Sequence, residues 1–515
     1  MRPFSCHGPP GLESSPVSHT SLAPDQQGAI DDLIARTGVI GRLGALFAAA
    51  GHELYLVGGS VRDVLLGHLV NDLDFTTSAR PAATEKLLKK VADHVWDVGR
   101  EFGTITARIA DETAPGGHWL IEVTTFRADA YRSDSRKPEV QFGDSIADDL
   151  VRRDFTVNAM ALDVSRSPIR AAEAFVDPHD GLSDLAARRL MTPFPPERSF
   201  SDDPLRMMRA ARFASQLGFT PADEVTAAMT AMADRIEIIS AERVRDELSR
   251  LLLTDHPALG LDLLCTTGIA DHVLPELPAL RLEVDEHHRH KDVYQHSLIV
   301  LQQAIDLEQQ RGHQPDLINR LAALLHDIGK PATRRFENDG RVSFHHHDVV
   351  GAKLVRKRLK ALRFSADQVK AVSTLVELHL RFHGYSDGLS AEQGGWTDSA
   401  VRRYVRDAGD QLERLHMLTR SDCTTRNQRK AQRLRRAYDD LEARIADLAS
   451  KEELDAMRPD LDGTQIMELL DLEPGPLVGQ AYRHLLELRV EHGPLGVERA
   501  TAELRAWWRS QQQLG

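Results

Sequence analysis

The chain has 515 residues and a formal net charge of −13, from 64 Lys and Arg against 77 Asp and Glu. Its 42% apolar and 27% charged residues are ordinary for globular proteins, and no apolar run reaches the ~18 residues that a membrane span needs. The cysteines, Cys6, Cys265 and Cys423, are too far apart for a disulfide framework or a metal motif, which favours a reducing cytoplasm.

The first part of the chain is predicted to hold one α+β domain behind a tail. Residues 1–25 are rich in Pro, Ser and Gly, lack the apolar core of a signal peptide, and are predicted to be disordered. Residues 26–180 mix helical patterns with β-branched and aromatic runs, which indicates an α+β domain. Predicted strands lie at 54–57, 72–76, 103–109 and 119–126.

From about residue 181 the pattern is almost entirely helical. Residues 181–280 form a first helical segment, and the two prolines at 274–278 predict a linker. A histidine-rich helical region follows at 285–425, and a charged helical tail at 426–515. Helices of the first segment are predicted at 203–217, 222–233, 241–253 and 256–267.

Basic residues cluster at 353–360, 402–406 and 426–436. The acidic total argues weakly against nucleic-acid binding, although the local distribution of charge matters more than the total. For any single cluster, a solvated helix face is the simpler interpretation. Only an RNA-directed catalytic site elsewhere in the chain would favour RNA binding.

The first motif is a strand, a Gly58-Gly59 turn and a helix, followed by Asp72 and Asp74. Residues i and i+2 of a strand point to one face, so both carboxylates would project together beside the turn. Carboxylates suit Mg²⁺, and the free N–H groups of a helix start suit phosphate. The motif therefore predicts metal-assisted attack on a nucleoside triphosphate. An isolated acidic pair, by contrast, is common on solvated surfaces.

A second polar block lies at 149–161, where Arg152 and Arg153 stand beside Asp154 and Asn158. A capped helix start with a surface ion pair is the simpler interpretation of this block taken alone.

A third block begins at Asp202 and Asp203, before a proline suited to a first helical turn. Arg206, Arg209 and Arg212 then recur every three residues and lie along one stripe of the helix. An exposed basic face is one interpretation. The other is that a carboxylate and a guanidinium, as acceptor and fork of donors, imitate the Watson–Crick edge of a base.

Together the blocks resemble the class II tRNA nucleotidyltransferase and bacterial poly(A) polymerase family, a branch of the DNA polymerase β superfamily. The resemblance implies an α+β fold, with a polymerase-β-like head at 26–180 that has a mixed or antiparallel sheet. An all-α neck at 181–280 and further helical domains would follow. The matching stretches are 56–63, 72–74, 152–159, 177–181 and 203–213.

This resemblance also implies roles for individual residues. Asp72 and Asp74 would bind the catalytic Mg²⁺ ions. Asp202 departs from the family, which usually has Glu there, and Glu122 is either a third carboxylate or a surface strand residue. The implied nucleotide contacts are Gly59 and Arg62 at the triphosphate, Arg153, Arg209 and Arg212 at phosphate or sugar, and Asp203 and Arg206 at the base.

The region 285–425 carries histidines and aspartates in an order that resembles the HD phosphohydrolase superfamily. The resemblance implies a site for one or two divalent ions, although buried or surface histidines without metal are the alternative for any single position. His347 is preferred over His345 and His346 because Asp348 and a helix follow it. The implied ligands are His296, His326, Asp327, His347, His379 and Asp422.

The resulting hypothesis is a cytoplasmic CCA tRNA nucleotidyltransferase with no membrane partner. It would add C, C and A to tRNA 3′ ends from CTP and ATP by two-metal-ion transfer, without a template. A secondary phosphohydrolase activity, with its own divalent metal, is left open. The alternatives are a poly(A) polymerase or A-adding enzyme, and an HD phosphohydrolase whose head is a degenerate RNA-binding module.

Overall fold

The computed structural model describes residues 21–68, 72–127, 142–282, 293–338, 342–383, 396–425, 427–452 and 458–514. The chain divides into two compact units. The first comprises Met1–Leu251 and Leu259–Val273, and the second comprises Leu252–Ala258 and Leu274–Gly515. The predicted disordered tail falls largely on residues 1–20, which lie outside the described residues, and the first helix begins at Pro24.

A seven-stranded mixed sheet forms the centre of the first unit, with the strand order β3-β4-β5-β2-β1-β6-β7. The pair β2 and β5 is parallel, whereas the other neighbouring strands are antiparallel. The strands are β1 Leu54–Val57, β2 Leu73–Thr77, β3 His94–Trp96, β4 Thr104–Ala110, β5 His118–Thr125, β6 Ala161–Asp163 and β7 Phe175–Val176. The four predicted strands correspond to β1, β2, β4 and β5, and the mixed sheet confirms the predicted fold class.

Burial explains which strands the pattern revealed. Every residue of β1 is buried, and β5 alternates between buried and exposed positions, as expected for a strand covered on one face. The short strands β3, β6 and β7 have two or three residues each, too few for a periodic signal, and were not predicted. A cluster that includes Tyr55, Val57, Phe126 and Leu150 packs on the sheet.

Helices make up the rest of the first unit, and two further short strands, β8 Arg189–Leu190 and β9 Thr220–Pro221, pair in parallel. The helices are α1 Pro24–Arg36, α2 Gly38–Ala48, α3 Gly59–Leu65, α4 Pro81–Leu88, α5 Ile146–Val151, α6 Ala171–Ala174, α7 Gly181–Ala186, α8 Pro196–Asp202, α9 Leu205–Leu217, α10 Asp223–Ala231, α11 Ala241–Leu252, α12 Pro257–Thr266 and α13 Ile269–Val273. The last residue of α11 belongs to the second unit.

Where the structure describes it, the second unit is helical apart from one small hairpin, β10 Arg335–Phe336 with β11 Val342–Ser343. Leu317–Leu325 is buried along most of its length, which suits a helix at the centre of a bundle. Its described helices are α14 Val293–Gln310, α15 Leu317–Leu325, α16 Lys330–Thr333, α17 His347–Ala361, α18 Ala366–Leu378, α19 Asp398–Ala408, α20 Leu412–Ser421, α21 Gln428–Glu452, α22 Gly463–Leu470, α23 Pro476–His492 and α24 Val497–Leu514.

Residues 274–278, the predicted linker, lie at the boundary between the units, but they are not an exposed connection. Leu274 and Leu277 are buried, and Glu276 accepts a 2.8 Å hydrogen bond from Arg358. The predicted linker thus coincides with the boundary between the units, and its leucines pack into the second unit. Among the described residues, the helices are all too short or too polar to cross a membrane.

Candidate functional site

Three carboxylates meet at the middle of the sheet in the first unit. The parallel register places Asp74 of β2 beside Glu122 of β5, and Asp72 precedes β2. Burial raises the pKa of Asp74 to about 6, with further contributions from the charges of Asp72 and Glu122, while Arg153 opposes the shift. A divalent cation would relieve the repulsion that the neighbouring carboxylates exert on ionised Asp74. The donor set therefore fits Mg²⁺, which Asp72 and Asp74 would hold, with Glu122 close by.

The glycine turn is bonded directly to the strand that carries these acids. The Ser60 hydroxyl donates to the backbone carbonyl of Asp72 at 3.2 Å and accepts the backbone N–H of Asp74 at 3.3 Å. Gly58 has φ +69° and ψ −131°, and a Cβ there would lie 3.0 Å from a guanidinium nitrogen of Arg153. Only glycine adopts such a backbone without strain, so the turn brings the start of α3 close to the acids.

Arg62, a predicted triphosphate contact one turn into α3, lies among protein partners. Its side chain is buried, donates to the Asn158 amide oxygen at 2.6 Å and to Asp63 at 2.8 Å. The guanidinium also lies 5.3 Å from the centre of the Phe213 ring. Arg62 therefore ties α3 to the Arg152–Asn158 block, and a triphosphate contact stays a prediction, as it does for Gly59 at the first turn of α3.

Asp154, in the second block, is a buried acceptor for the Arg stripe. It accepts from Arg209 at 2.7 Å and from the Asn158 amide at 3.0 Å. Burial alone would raise its pKa, but the charge of Arg209 and the hydrogen bonds hold the pKa of Asp154 below its ordinary value. Arg153 pairs instead with Asp149 at 3.0 Å.

The Arg stripe of α9 faces the protein interior, so the exposed-face interpretation is wrong. Arg212 is 8% exposed and donates to Glu247 at 2.7 Å, and Arg209 lies 3.5 Å from the same carboxylate. Glu247 was not predicted. Glu247 lies on α11 and gives no local sequence signal, because its role is visible only from its contacts with Arg209 and Arg212.

The predicted base-reading pair has separate partners in this structure. Arg206 donates to the Ser199 hydroxyl at 2.8 Å and to the Arg152 carbonyl at 2.6 Å. Asp203 accepts from Arg243 at 2.8 Å. Both residues still lie at the start of α9, and Arg243 of α11 joins them as a neighbour that sequence reasoning missed.

In the second unit, the six predicted HD ligands come together from five parts of the chain. His296 Nε2 lies 2.9 Å from Asp422, and His326 Nε2 lies 3.2 Å from Asp327. His347 Nε2 lies 3.3 Å from the other oxygen of Asp327. Of the three consecutive histidines, His347 is buried, whereas His345 and His346 are exposed. The remaining predicted ligand, His379, packs its ring against those of His326 and His347.

Backbone carbonyls fix the orientation of three of these histidines. In each, Nδ1 lies 2.6–2.9 Å from the carbonyl oxygen three residues earlier, so Nδ1 donates its proton to the backbone and Nε2 is directed at the cluster. The Nε2 atom of His379 is buried without a hydrogen-bond partner among the described residues, and the buried Nε2 of His347 has the Asp327 carboxylate as its polar neighbour. Buried orphan acceptors of this kind suit metal coordination. The three histidines are His326, His347 and His379.

The geometry permits two cations that share one carboxylate. Ligand atoms of His296, His326 and Asp327 lie within 4.8 Å of one another, and so do those of Asp327, His347 and His379. Burial lowers the pKa of His379 to about 4, helped by the charge of His326, so His379 is neutral. Burial would also lower the pKa of His326, but Asp327 and then Asp422 raise it to about 9. The carboxylates thus favour positive charge at the centre of the cluster.

Three family models match the chain. The Poly A polymerase head domain covers residues 54–191, and the HD domain covers residues 293–455. Between them, residues 218–280 match the model described as "Probable RNA and SrmB- binding site of polymerase A".

Two relatives match nearly the whole chain. An A-adding tRNA nucleotidyltransferase of Deinococcus radiodurans is 33% identical over 461 residues, 88% of this chain and 95% of that protein. A CC-adding tRNA nucleotidyltransferase of Thermus thermophilus is 30% identical over 468 residues, 89% of this chain and 94% of that protein. The chain belongs to the tRNA nucleotidyltransferase/poly(A) polymerase family.

Other members of the family match in part or in fold. A CCA-adding enzyme of Levilactobacillus brevis is 43% identical over 221 residues, 43% of this chain and 51% of that protein. The solved CCA-adding enzyme of Bacillus stearothermophilus in complex with CTP shares the fold, with a TM-score of 0.62 and 22% identity over 96% of this chain and all of that one. The predicted nucleotidyltransferase class, head fold and HD domain are confirmed.

Proposed function

We propose that this nucleotidyltransferase adds C, C and A to the 3′ ends of tRNA from CTP and ATP, without a nucleic-acid template. The observation that carries the proposal is the crowding of Asp72, Asp74 and Glu122 beside the Gly58 turn. Such crowding suits a pair of Mg²⁺ ions, and the turn suits a triphosphate. Relatives that add A, CC or CCA support tRNA as the acceptor.

In the proposed reaction the oxygen of the RNA 3′-hydroxyl forms a bond to the α-phosphorus of the nucleotide. The bond from that phosphorus to the pyrophosphate oxygen breaks, pyrophosphate leaves, and the hydroxyl proton passes to solvent. Mg²⁺, when bound, would supply charge neutralisation of the pyrophosphate and acidify the attacking hydroxyl.

The chain's own residues would bind and orient the reactants. Asp72 and Asp74 hold the cations, and the N–H groups at the start of α3 face the phosphates. Arg153, with a half-buried guanidinium against the Gly58 turn, offers donors to the same phosphates. Asp203 and Arg206 at the start of α9 would present an acceptor and donors to the base. We place this reaction in the cytoplasm.

The test is extension of a tRNA that ends at the discriminator base, with CTP, ATP or both. We expect two added nucleotides with CTP, three with both, and none with ATP alone. Addition of A only to a tRNA already ending in CC would favour an A-adding enzyme, as in the Deinococcus relative. A long A tract from ATP alone would favour a poly(A) polymerase. D72A and D74A should abolish incorporation in every arm.

A second activity is favoured by the His and Asp cluster in the second unit. We infer that this cluster hydrolyses a phosphate monoester. The oxygen of a water molecule forms a bond to phosphorus, the bond from phosphorus to the ester oxygen breaks, and that oxygen takes a proton and leaves as an alcohol. A divalent metal, when bound by the two ligand groups that share Asp327, would activate the water. D327N should abolish hydrolysis of p-nitrophenyl phosphate but not nucleotide incorporation, and D74A should do the reverse. Hydrolysis without any incorporation by the wild type would support a degenerate head.

A further inference from the structure

A pocket of about 850 Å³ opens beside the histidine cluster of the second unit. It lies between α14, the end of α20 and α21, and its volume is in the range of small-molecule sites. His296 belongs to both the pocket wall and the metal-ligand group, so a molecule in the pocket would lie next to the cluster.

The pocket wall also orients His296. The Thr424 hydroxyl lies 3.2 Å from His296 Nδ1, on the side of the ring opposite the carboxylates. Nε2, on the cluster side, lies 2.9 Å from Asp422. The hydroxyl contact at Nδ1 fixes the orientation of the ring and directs Nε2 at the cluster, which makes Thr424 a positioning residue.

One guanidinium in the wall is available to a ligand. Arg435 is exposed and has no carboxylate within ion-pair distance among the described residues. Arg420, also in the wall, is already bonded to Asp439 and Glu442, at 2.8 Å each. Asp306, a carboxylate in the wall, accepts from Gln302 at 3.0 Å.

The rest of the pocket suits an organic group attached to a phosphate. Ile299 is 46% exposed in the wall and offers an apolar surface. Gln295 and Gln303 add amide donors and acceptors on the same helix, α14. An apolar surface, a few amides, one free cation and a metal-ligand cluster together match a phosphate monoester whose alcohol is flat and partly polar.

We propose that this pocket binds the phosphate monoester that the HD site hydrolyses, and that Arg435 is its specificity-determining residue for the phosphate. The proposal rests on the inferred hydrolase activity, but it assigns a place and a contact that can be measured without turnover. Arg433 lies on the same helix, is exposed, and lines a separate pocket of about 380 Å³. It is the matched control.

The experiment titrates phenylphosphonate, which cannot be hydrolysed, into the Mn²⁺-loaded full chain by calorimetry. R435Q should weaken binding about tenfold, the usual cost of one charge-assisted contact, whereas R433Q should not change it. With p-nitrophenyl phosphate, R435Q should raise KM about tenfold and leave kcat within about twofold. T424V should lower the affinity of the chain for Mn²⁺. It should not change the preference for phenylphosphonate over phenol that Arg435 provides.

The two proposals can fail separately. Phosphonate binding through Arg435 without any hydrolysis by the wild type would overturn the hydrolase and leave the pocket assignment supported. Hydrolysis with unchanged binding and KM in R435Q would overturn the pocket assignment alone. Absence of both binding and hydrolysis would overturn both.

Discussion

Replacing Asp74 with Asn should stabilise the metal-free protein while abolishing nucleotide transfer. Burial and two neighbouring carboxylates raise the pKa of Asp74 from 3.8 to about 6. At 1.36 kcal/mol for each tenfold change, ionised Asp74 costs the fold about 3 kcal/mol at neutral pH. A neutral amide of similar size removes that cost, and it also removes the carboxylate proposed to bind Mg²⁺.

The sign of the pH dependence follows from the direction of this shift. Because the folded-state pKa is the higher one, the stabilising contribution of protonated Asp74 is complete below about pH 3.8 and is lost as pH rises through about 6. The advantage of D74N should therefore be largest at pH 8, roughly half as large at pH 5, and absent near pH 3.8. Excess Mg²⁺ should stabilise the wild type and not D74N, since a ligand stabilises only the form that binds it.

Calorimetry of the full chain in EDTA and in Mg²⁺ would test this. The unfolding transition to follow is the one that Mg²⁺ shifts in the wild type, because the chain has two compact units that can unfold separately. At pH 8 in EDTA, D74N should unfold roughly 6–12 °C higher. D97N, which changes an exposed carboxylate of the same unit, is the control and should not shift the transition. An unchanged or lowered Tm for D74N at pH 8 would refute the idea of repulsion at this site.

Three further changes address other parts of the two sites. G58A should destabilise the first unit by about 1–3 kcal/mol, because its φ of +69° excludes a Cβ that would also meet Arg153; urea unfolding measures the cost, and incorporation should fall with it. R243Q should remove the partner of Asp203 and reduce the preference for CTP and ATP over UTP and GTP in single-turnover incorporation, whereas unchanged preference would place Arg243 outside base selection. H379A should reduce the metal bound by the full chain after dialysis, measured by elemental analysis, and equal metal content would exclude His379 as a ligand.

The fold could be predicted from the sequence where a periodic signal is long enough. Strands β1 and β5 have four and eight residues with continuous or alternating burial, and helix α9 has thirteen residues with a Pro204 start and a Gly218 end. Two-residue strands such as β7 exist only because a neighbour supplies their hydrogen bonds, so nothing local predicts them. The same limit applies at 274–278, where the prolines predict a linker but nothing local predicts that Leu274 and Leu277 are buried.

In the candidate sites too, residues that are close in sequence could be predicted, whereas partners from distant elements could not. Short-range spacing predicted that Asp72 and Asp74 lie close together, at the start of β2, and selected His347 from three consecutive histidines. Partners from distant elements could not be predicted, because a buried charge has no local signature. Glu247 and Arg243 both lie on α11, about 35 to 40 residues from the residues of α9 and its start that they bond.

A continuous set of hydrogen bonds joins the start of α9, where base reading is proposed, to the carboxylates of the first unit. Arg209 of α9 donates to Asp154, which also accepts from the side-chain NH₂ of Asn158. The amide oxygen of Asn158 in turn accepts from Arg62 on α3. The second residue of the same helix is Ser60, whose hydroxyl bonds the backbone of Asp72 and of Asp74, on either side of the first residue of β2. Breaking one member of a buried charged set costs about 3–5 kcal/mol. Arg62 and Arg209, which the sequence pattern assigns to substrate, therefore also fix the positions of α3 and α9 relative to each other. This structural role accounts for their contacts with buried protein groups.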